Sequence, residues 1–336
     1  MAYSDVKVLV TGADGFMGSH LVEALVERGA EVTALCLYNS FDKHGWLDNV
    51  PESVRVRLQI LRGDVRDAAF VRRAVQDQDI VFHLAALIGI PYSYVAAQSY
   101  VETNVVGTLN VLEACREAGV SRIVHTSTSE VYGTALTLPI SESHVLQGQS
   151  PYSASKIGAD MMVEAFARSF STPVVILRPF NTYGPRQSER AVIPTVIRQV
   201  LDRSCRTIRI GDVSTVRDFM FIDDTIAAFL AIGTAEGVEF GCAYNAGSGK
   251  SVSVAEMIDL VIELARCGDK PVEHDPTRMR PADSEVRALL ADSSCLAAAT
   301  GWRPKVDLHH GLMRTIAWWR GRLSGGSVRR EHEFIA

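Results

Sequence analysis

The chain has 336 residues, 47% hydrophobic and 22% charged, with a net charge of −5. That length and apolar content provide one large core, or a large core and a smaller lobe. The negative balance excludes a global basic field for nucleic acid, so an anionic ligand must be held by local arginines and backbone N–H groups.

The N-terminus MAYSDVKVLV enters a strand with neither a basic n-region nor a long apolar h-region, so no signal peptide is readable. VKVLVTG (6–12) reads as a buried strand and HLVEALVERG (20–29) as a helix ended by Gly29. EVTALCL (31–37), RLQILRGD (57–64), DIVFHLAA (79–86), SRIVHTSTS (121–129) and PVVILRP (173–179) read as further strands. Helices stand between them, among them VETNVVGTLNVLEACREAG (101–119), which is apolar on more than one face. Near-continuous Val/Ile/Leu strands separated by helices predict an α/β fold with a parallel sheet covered on both faces.

The pattern changes after Pro179. NTYGPRQSERAVIPTVIRQVL reads as a proline-bearing loop and a helix, and VRDFMFIDDTIAAFLAIG (216–233) as a strand and helix that rejoin the main sheet. The expected division is a main domain of 1–179 plus about 216–244, a smaller substrate-binding lobe of about 180–215 plus 245–325, and a polar tail at 326–336. The six cysteines (Cys36, Cys115, Cys205, Cys242, Cys267 and Cys295) contain no CxxC pair. With no ligand spacing among His83, His125 and His144, no metal site or disulfide framework is expected, and the compartment should be reducing. No apolar run reaches the roughly 20 residues that span a bilayer. A soluble cytoplasmic protein is the expectation.

TGADGFMGSHL places Gly12, Gly15 and Gly18 between the first strand and the first helix. Glycine permits the tight turn and lets backbone approach a pyrophosphate, while the helix N-terminus favours the anion. The alternative is a purely structural turn, and position near the N-terminus favours a dinucleotide.

SPYSASKIGAD (150–160) reads as a helix start, with Ser150 as cap and Pro151 in the first turn. The i, i+4 spacing puts Tyr152 and Lys156 on one helix face. A free tyrosine is ionised only to about one part in a thousand at neutral pH. A neighbouring ammonium favours the phenolate, so the pair suits a proton-abstracting base. The alternative is a surface helix with an exposed Tyr and Lys.

The GxxGxxG spacing resembles the short-chain dehydrogenase/reductase superfamily. GxxGFxG, STSEVYG, YSASK and RPFNTYGPR in that order resemble its extended members that act on nucleotide sugars, over about residues 6–320. The resemblance implies a Rossmann sheet holding NAD through Gly12, Gly15, Phe16, Met17 and Gly18. It also implies adenine contacts at Asp64 and Val65, and further cofactor contacts at Leu84, Ala85, Ala86, Tyr152, Lys156 and Pro179. Cys36 stands where such chains usually carry an acid for the ribose hydroxyls. Tyr38, Asn39 and Ser40 are candidates to replace it. CLYNSF offers no cation for a 2′-phosphate, so NAD is favoured over NADP, without excluding NADP.

The same resemblance implies that Thr128 binds the reacting sugar hydroxyl, with Tyr152 as base and Lys156 as its activator. Asn181 and Arg217 would meet the nucleotide pyrophosphate, with Arg280 or Arg287 helping and Arg186 and Val192 also at the substrate. The alternative for Arg217 is an internal ion pair with Asp218. Glu130 separates the chemistries: sugar 4-epimerases of this kind usually lack it, whereas 4,6-dehydratases and UDP-glucuronate decarboxylases carry TDE or TSE there. Oxidation at C4 acidifies the C5 hydrogen, which a carboxylate can remove while a general acid releases the C6 hydroxyl. Ser129 replaces the aspartate used by the TDP-glucose enzymes, so Glu130 itself is a candidate to move that proton.

YNSFDKHGWLDNV, AALIGIPYSY, LQGQSPYSASKIGAD and FNTYGPRQSERAVIPT look like the 4,6-dehydratases of legionaminic-acid-type pathways, which act on an N-acetylglucosamine nucleotide. A 4,6-dehydratase is thus the leading expectation, with decarboxylase or 4-epimerase as the enzyme alternative. A dinucleotide sensor or RNA-binding protein on the same fold is the alternative of another class. The family pairs the 101–119 helix and the Tyr152 helix with their copies in a partner, so a homodimer is expected.

Overall fold

The computed structural model describes residues 3–325; the tail expected at 326–336 lies outside the described residues. Six parallel strands follow the order of the sequence: β1 (Lys7–Thr11), β2 (Glu31–Leu37), β3 (Leu58–Gly63), β4 (Ile80–His83), β5 (Arg122–Thr126) and β6 (Val174–Pro179). A seventh, β7 (Ala243–Ala246), joins β6 with Ala243 opposite Ile176. The spatial order is β3-β2-β1-β4-β5-β6-β7, so the direction of winding reverses between β1 and β4. In such sheets the crevice at this reversal, beyond the carboxyl ends of the strands, is where ligands bind.

The period of two along each strand explains the layering. Val8 and Val10 of β1 belong to a core shared with helix α1 (Phe16–Glu27), while Leu9 belongs to a second core on the opposite face. Helices α2 (Ala68–Val75), α3 (Gly107–Ala118) and α4 (Pro151–Phe170) cover that second face. Chain 101–106, expected as the first part of one helix, is wound as a π-helical stretch leading into α3, which ends at Gly119 in the left-handed conformation.

The expectation that 216–233 rejoins the main sheet is corrected for its strand. Phe219–Phe221 pairs in parallel with Asn181–Tyr183, and Val216–Arg217 pairs antiparallel with Val252–Ser253, both off the main sheet. The helix that follows, Ile222–Thr234, does pack beside α1 and β5. Helices Val192–Leu201, Val254–Ala265 and Leu308–Ser324 pack with one another beyond this small sheet. The short pairing brings Asn181 and Arg217 close to the end of β6, which opens a second groove next to the crevice.

Candidate active site

Gly12 adopts φ +67°, and a Cβ there would lie 2.9 Å from the backbone of Ala85 on the segment after β4. A Cβ on Gly18 would come within 2.1 Å of the Gly12 carbonyl oxygen. Both positions therefore require glycine, and the turn delivers α1 with its N-terminus facing the crevice. Thr11, which sequence reasoning passed over, locks the floor: its Oγ1 accepts from the N–H groups of Leu84 and Ala85, each at 3.1 Å.

The crevice is a groove of about 480 Å³ lined by Gly12, Gly15, Phe16, Met17, Gly18, Leu37, Asp64, Val65, Leu84, Ala85 and Ala86. Arg66 binds both oxygens of Asp64, and those hydrogen bonds hold the carboxyl below the usual range. Cys36 is fully buried in the core on the α1 side, and burial pushes its thiol up to about 12. Asn39 is spent on its own loop, accepting from Phe41 N–H at 3.1 Å and donating to Lys43 O at 2.8 Å. Tyr38 and Ser40 are exposed and lie outside the groove lining. The strand register puts Arg62 opposite Cys36, where it pairs with Asp42 and donates to His44 Nε2 at 3.1 Å. A cation beside this position was invisible in CLYNSF because it comes from the next strand.

Strand β5 stops at Thr126, earlier than the stretch 121–129 suggested. Thr128 is extended and caps a single tight turn over Ser129–Tyr132, its Oγ1 accepting from the Glu130 N–H at 3.2 Å. Ser129 is buried, whereas the Glu130 side chain retains 14% exposure and lies 3.8 Å from Arg280. Ser150 caps α4 in a reciprocal box with Ser153. This sets Tyr152 and Lys156 on the face turned to Thr128. Lys156 Nζ donates to Thr126 O at 2.7 Å, and burial lowers its pKa to about 8 against the pull of Asp160.

Burial raises the Tyr152 pKa, a hydrogen bond with Thr128 lowers it, and the Glu130 charge raises it again. A phenolate favoured by Lys156 was the expectation; in the protein, burial is the larger effect and opposes it. Behind these residues Asp160 Oδ2 accepts from Ser127 Oγ at 2.8 Å and from Arg178 Nη2 at 2.9 Å, tying β5, β6 and α4 together. His83 and His125 are buried: the His83 ring bonds Thr11 and Thr108, and the rings stand 5.6 Å apart.

The second groove, about 580 Å³, is lined by Asn181, Val192, Arg217 and Arg280, together with Arg190, Arg278 and Glu285. Arg217 pairs with Glu285 at 3.0 Å, so its partner is not the adjacent Asp218. Asp218 instead accepts from the N–H groups of Ser248, Gly249 and Ala291. Three expected substrate residues lie outside the groove lining: Thr128, in the turn after β5, and Arg186 and Arg287. Arg186 points to α1, bonding Ser19 at 3.2 Å and Glu23 at 2.9 Å. Arg287 is exposed and brings only its carbonyl, which accepts from Val216 N–H at 2.9 Å. Pro179 ends β6, buried behind the crevice.

This arrangement can be set against known proteins. The family model described as GDP-mannose 4,6 dehydratase matches residues 9–315. A dTDP-glucose 4,6-dehydratase of Actinoplanes sp. is 32% identical over 95% of this chain and 99% of its own. A UDP-glucose 4-epimerase of Mycolicibacterium smegmatis is 30% identical over 94% of this chain and 99% of its own. Among solved structures, a dTDP-glucose 4,6-dehydratase of Streptomyces venezuelae with NAD bound superposes with a TM-score of 0.83 at 29% identity, covering 95% of this chain and 98% of that one. With the glycine turn, the Thr128–Tyr152–Lys156 face and the seven-stranded sheet in place, the chain belongs to the nucleotide-sugar 4,6-dehydratase and epimerase family of extended short-chain dehydrogenases.

Proposed function

We propose that the protein is an NAD-dependent nucleotide-sugar 4,6-dehydratase. The observation that carries this reading is Glu130: a carboxylate beside the Thr128–Tyr152 pair, 3.8 Å from Arg280 on the wall of the arginine-lined groove. The crevice fits NAD, because the turn at Gly12 and Gly18 leaves the N-terminus of α1 facing the groove and the Asp64 carboxylate lines it. Gly12, Gly15, Phe16, Met17 and Gly18 would hold the pyrophosphate. When bound, NAD supplies a hydride acceptor for C4 of the sugar and a hydride donor for C6.

Within that reading, Thr128 orients the C4 hydroxyl and Tyr152 removes its proton, with the Lys156 ammonium lowering the cost of the phenolate. The 4-ketone acidifies C5, and Glu130 removes that proton. Ser129 is buried in the turn, so Glu130 also gives that proton to the departing C6 hydroxyl, which leaves as water. The C4 hydroxyl proton taken by Tyr152 balances the one C5 regains when hydride returns to C6. Asn181, Arg217 and Arg280 hold the diphosphate. The substrate class is a nucleoside diphosphate hexose, with an N-acetylglucosamine nucleotide as the first candidate. Homodimer formation through α3 and α4 belongs to the same proposal, as does a reducing cytoplasmic setting, supported by six free cysteines. No described helix is long and apolar enough to cross a membrane.

One experiment tests the reading. The NAD-loaded protein is incubated with UDP-, GDP-, CDP- and dTDP-linked sugars, and product mass is followed. A loss of one water supports the proposal, and Glu130→Gln should lower that loss by at least ~100-fold while retaining NAD. Loss of carbon dioxide would assign a decarboxylase instead. Unchanged mass with a new C4 configuration would assign a 4-epimerase, a reading favoured by the replacement of the second acid by Ser129 and by the epimerase relative.

A further inference from the structure

Arg280 stands on the wall of the second groove between two carboxylates. Its Nη1 lies 3.8 Å from Glu130 Oε2 and 3.7 Å from Glu285 Oε1. Both separations exceed a hydrogen bond, and Nη1 is a buried donor with no acceptor. A buried donor without an acceptor is costly and calls for an explanation. Here the groove offers one, because Arg190, Arg217 and Arg278 line it alongside Arg280 and suit a polyanion. The two carboxylates are not equivalent. Glu285 already accepts a hydrogen bond from Arg217 Nη2 at 3.0 Å. For Glu130, Arg280 is the one ion-pair partner within 4.0 Å among the described residues, and the Arg217 guanidinium, engaged by Glu285, feels the Glu130 charge from farther off.

We propose that Arg280 is a positioning residue for which Glu130 and the substrate's diphosphate compete, so that seating the diphosphate draws the guanidinium away and frees the Glu130 carboxylate beside Tyr152. A carboxylate relieved of a neighbouring cation is the stronger base. Proton abstraction would thus be linked to a correctly seated nucleotide, and the base would stay paired when a sugar lacking a diphosphate enters. The inference rests on Glu130 being the C5 base, but the competition itself is a binding property and does not depend on turnover. By thermodynamic linkage, whatever Glu130 costs the diphosphate, the diphosphate costs the Glu130–Arg280 pair.

A double-mutant cycle on the NAD-loaded protein tests it, with binding of dTDP and of UDP measured by calorimetry. Arg280→Gln should weaken binding. Glu130→Gln should tighten it by about threefold or more, because the competitor is gone. In the Arg280→Gln background the same Glu130→Gln change should alter affinity by less than about twofold. Arg280→Lys, which keeps the cation, should restore the tightening. NAD retention and melting temperature show that each variant is folded. An equal effect of Glu130→Gln in both backgrounds overturns the proposal, and so does failure of both diphosphates to bind the unsubstituted protein. Coupling that persists in a protein unable to dehydrate any sugar nucleotide supports the competition and counts instead against the dehydratase reading.

Discussion

Lys156 carries the sharpest electrostatic tension at the level of single residues. Its ammonium is buried, donates to Thr126 O at 2.7 Å, and is lowered by that burial to about 8, with Asp160 as the opposing charge. A reaction that needs the ammonium to favour the Tyr152 phenolate loses it as pH rises through that value. The expected outcome is a kcat/KM that falls about tenfold per pH unit above pH ~8. Lys156→Arg, whose guanidinium stays protonated throughout, should flatten this alkaline limb even where its absolute rate is lower. An alkaline limb unchanged in Lys156→Arg would assign the titration to another group. The pairing of Tyr152 and Lys156 was legible because i, i+4 spacing is a local property of a helix. The opposing effect of burial was not, because it is contributed by Ile90 and Tyr100, distant in the chain, which pack around Tyr152.

Among the elements, those with local signals were read closely. Strand β2 has the bounds its apolar run suggested, and the start of α4 was legible in Ser150 and Pro151, since caps are written in adjacent residues. The end of β5 was not. HTSTS continues a strand-like composition, and the chain turns where the Thr128 hydroxyl accepts from Glu130 N–H and the Thr128 and Glu130 carbonyls accept from Val131 and Gly133 N–H. Arg186 was misplaced and the Arg62 cation beside Cys36 was missed for a related reason, since their placement depends on α1 and on the β2–β3 register. The Ser150 cap is the element-scale feature open to a clean test. Its Oγ accepts from Ser153 N–H at 3.1 Å at the N-terminus of the helix that presents Tyr152. Ser150→Ala should cost about 1 kcal/mol, lowering the melting temperature by a few degrees. Because Tyr152 lies two residues from the cap, kcat should fall more than KM rises. A variant that loses stability with kcat unchanged would show that the first turn of α4 is held in place by packing alone.

At the scale of the whole molecule, the alternation of apolar strands and helices was sufficient for a doubly wound sheet, but not for its edge. Ala243–Ala246 is too short and too mixed to announce a strand, yet it takes the edge beside β6, while 216–221, expected to rejoin the main sheet, pairs elsewhere. Partner subunits pose the same kind of problem, since an apolar surface becomes visible only after the chain is folded. On α4 the exposed face carries Ala154, Met161 and Ala165, and the stretch leading into α3 presents Val101 and Val106, at 51% and 40% exposure. Two such neighbouring apolar helical faces in one subunit match two in a copy, which would give a four-helix interface related by a two-fold axis. Every substitution on that face then appears twice. Met161→Lys introduces a cation on each subunit, and a pair of buried like charges costs far more than the lost methionine contact. Met161 is 42% exposed in the single chain, so the substitution leaves the fold of one subunit intact. Light scattering during size-exclusion chromatography should therefore report a dimer for the unsubstituted protein and a folded monomer for Met161→Lys, with at least ~100-fold weaker association. A dimer that survives Met161→Lys at micromolar concentration would move the interface to another surface.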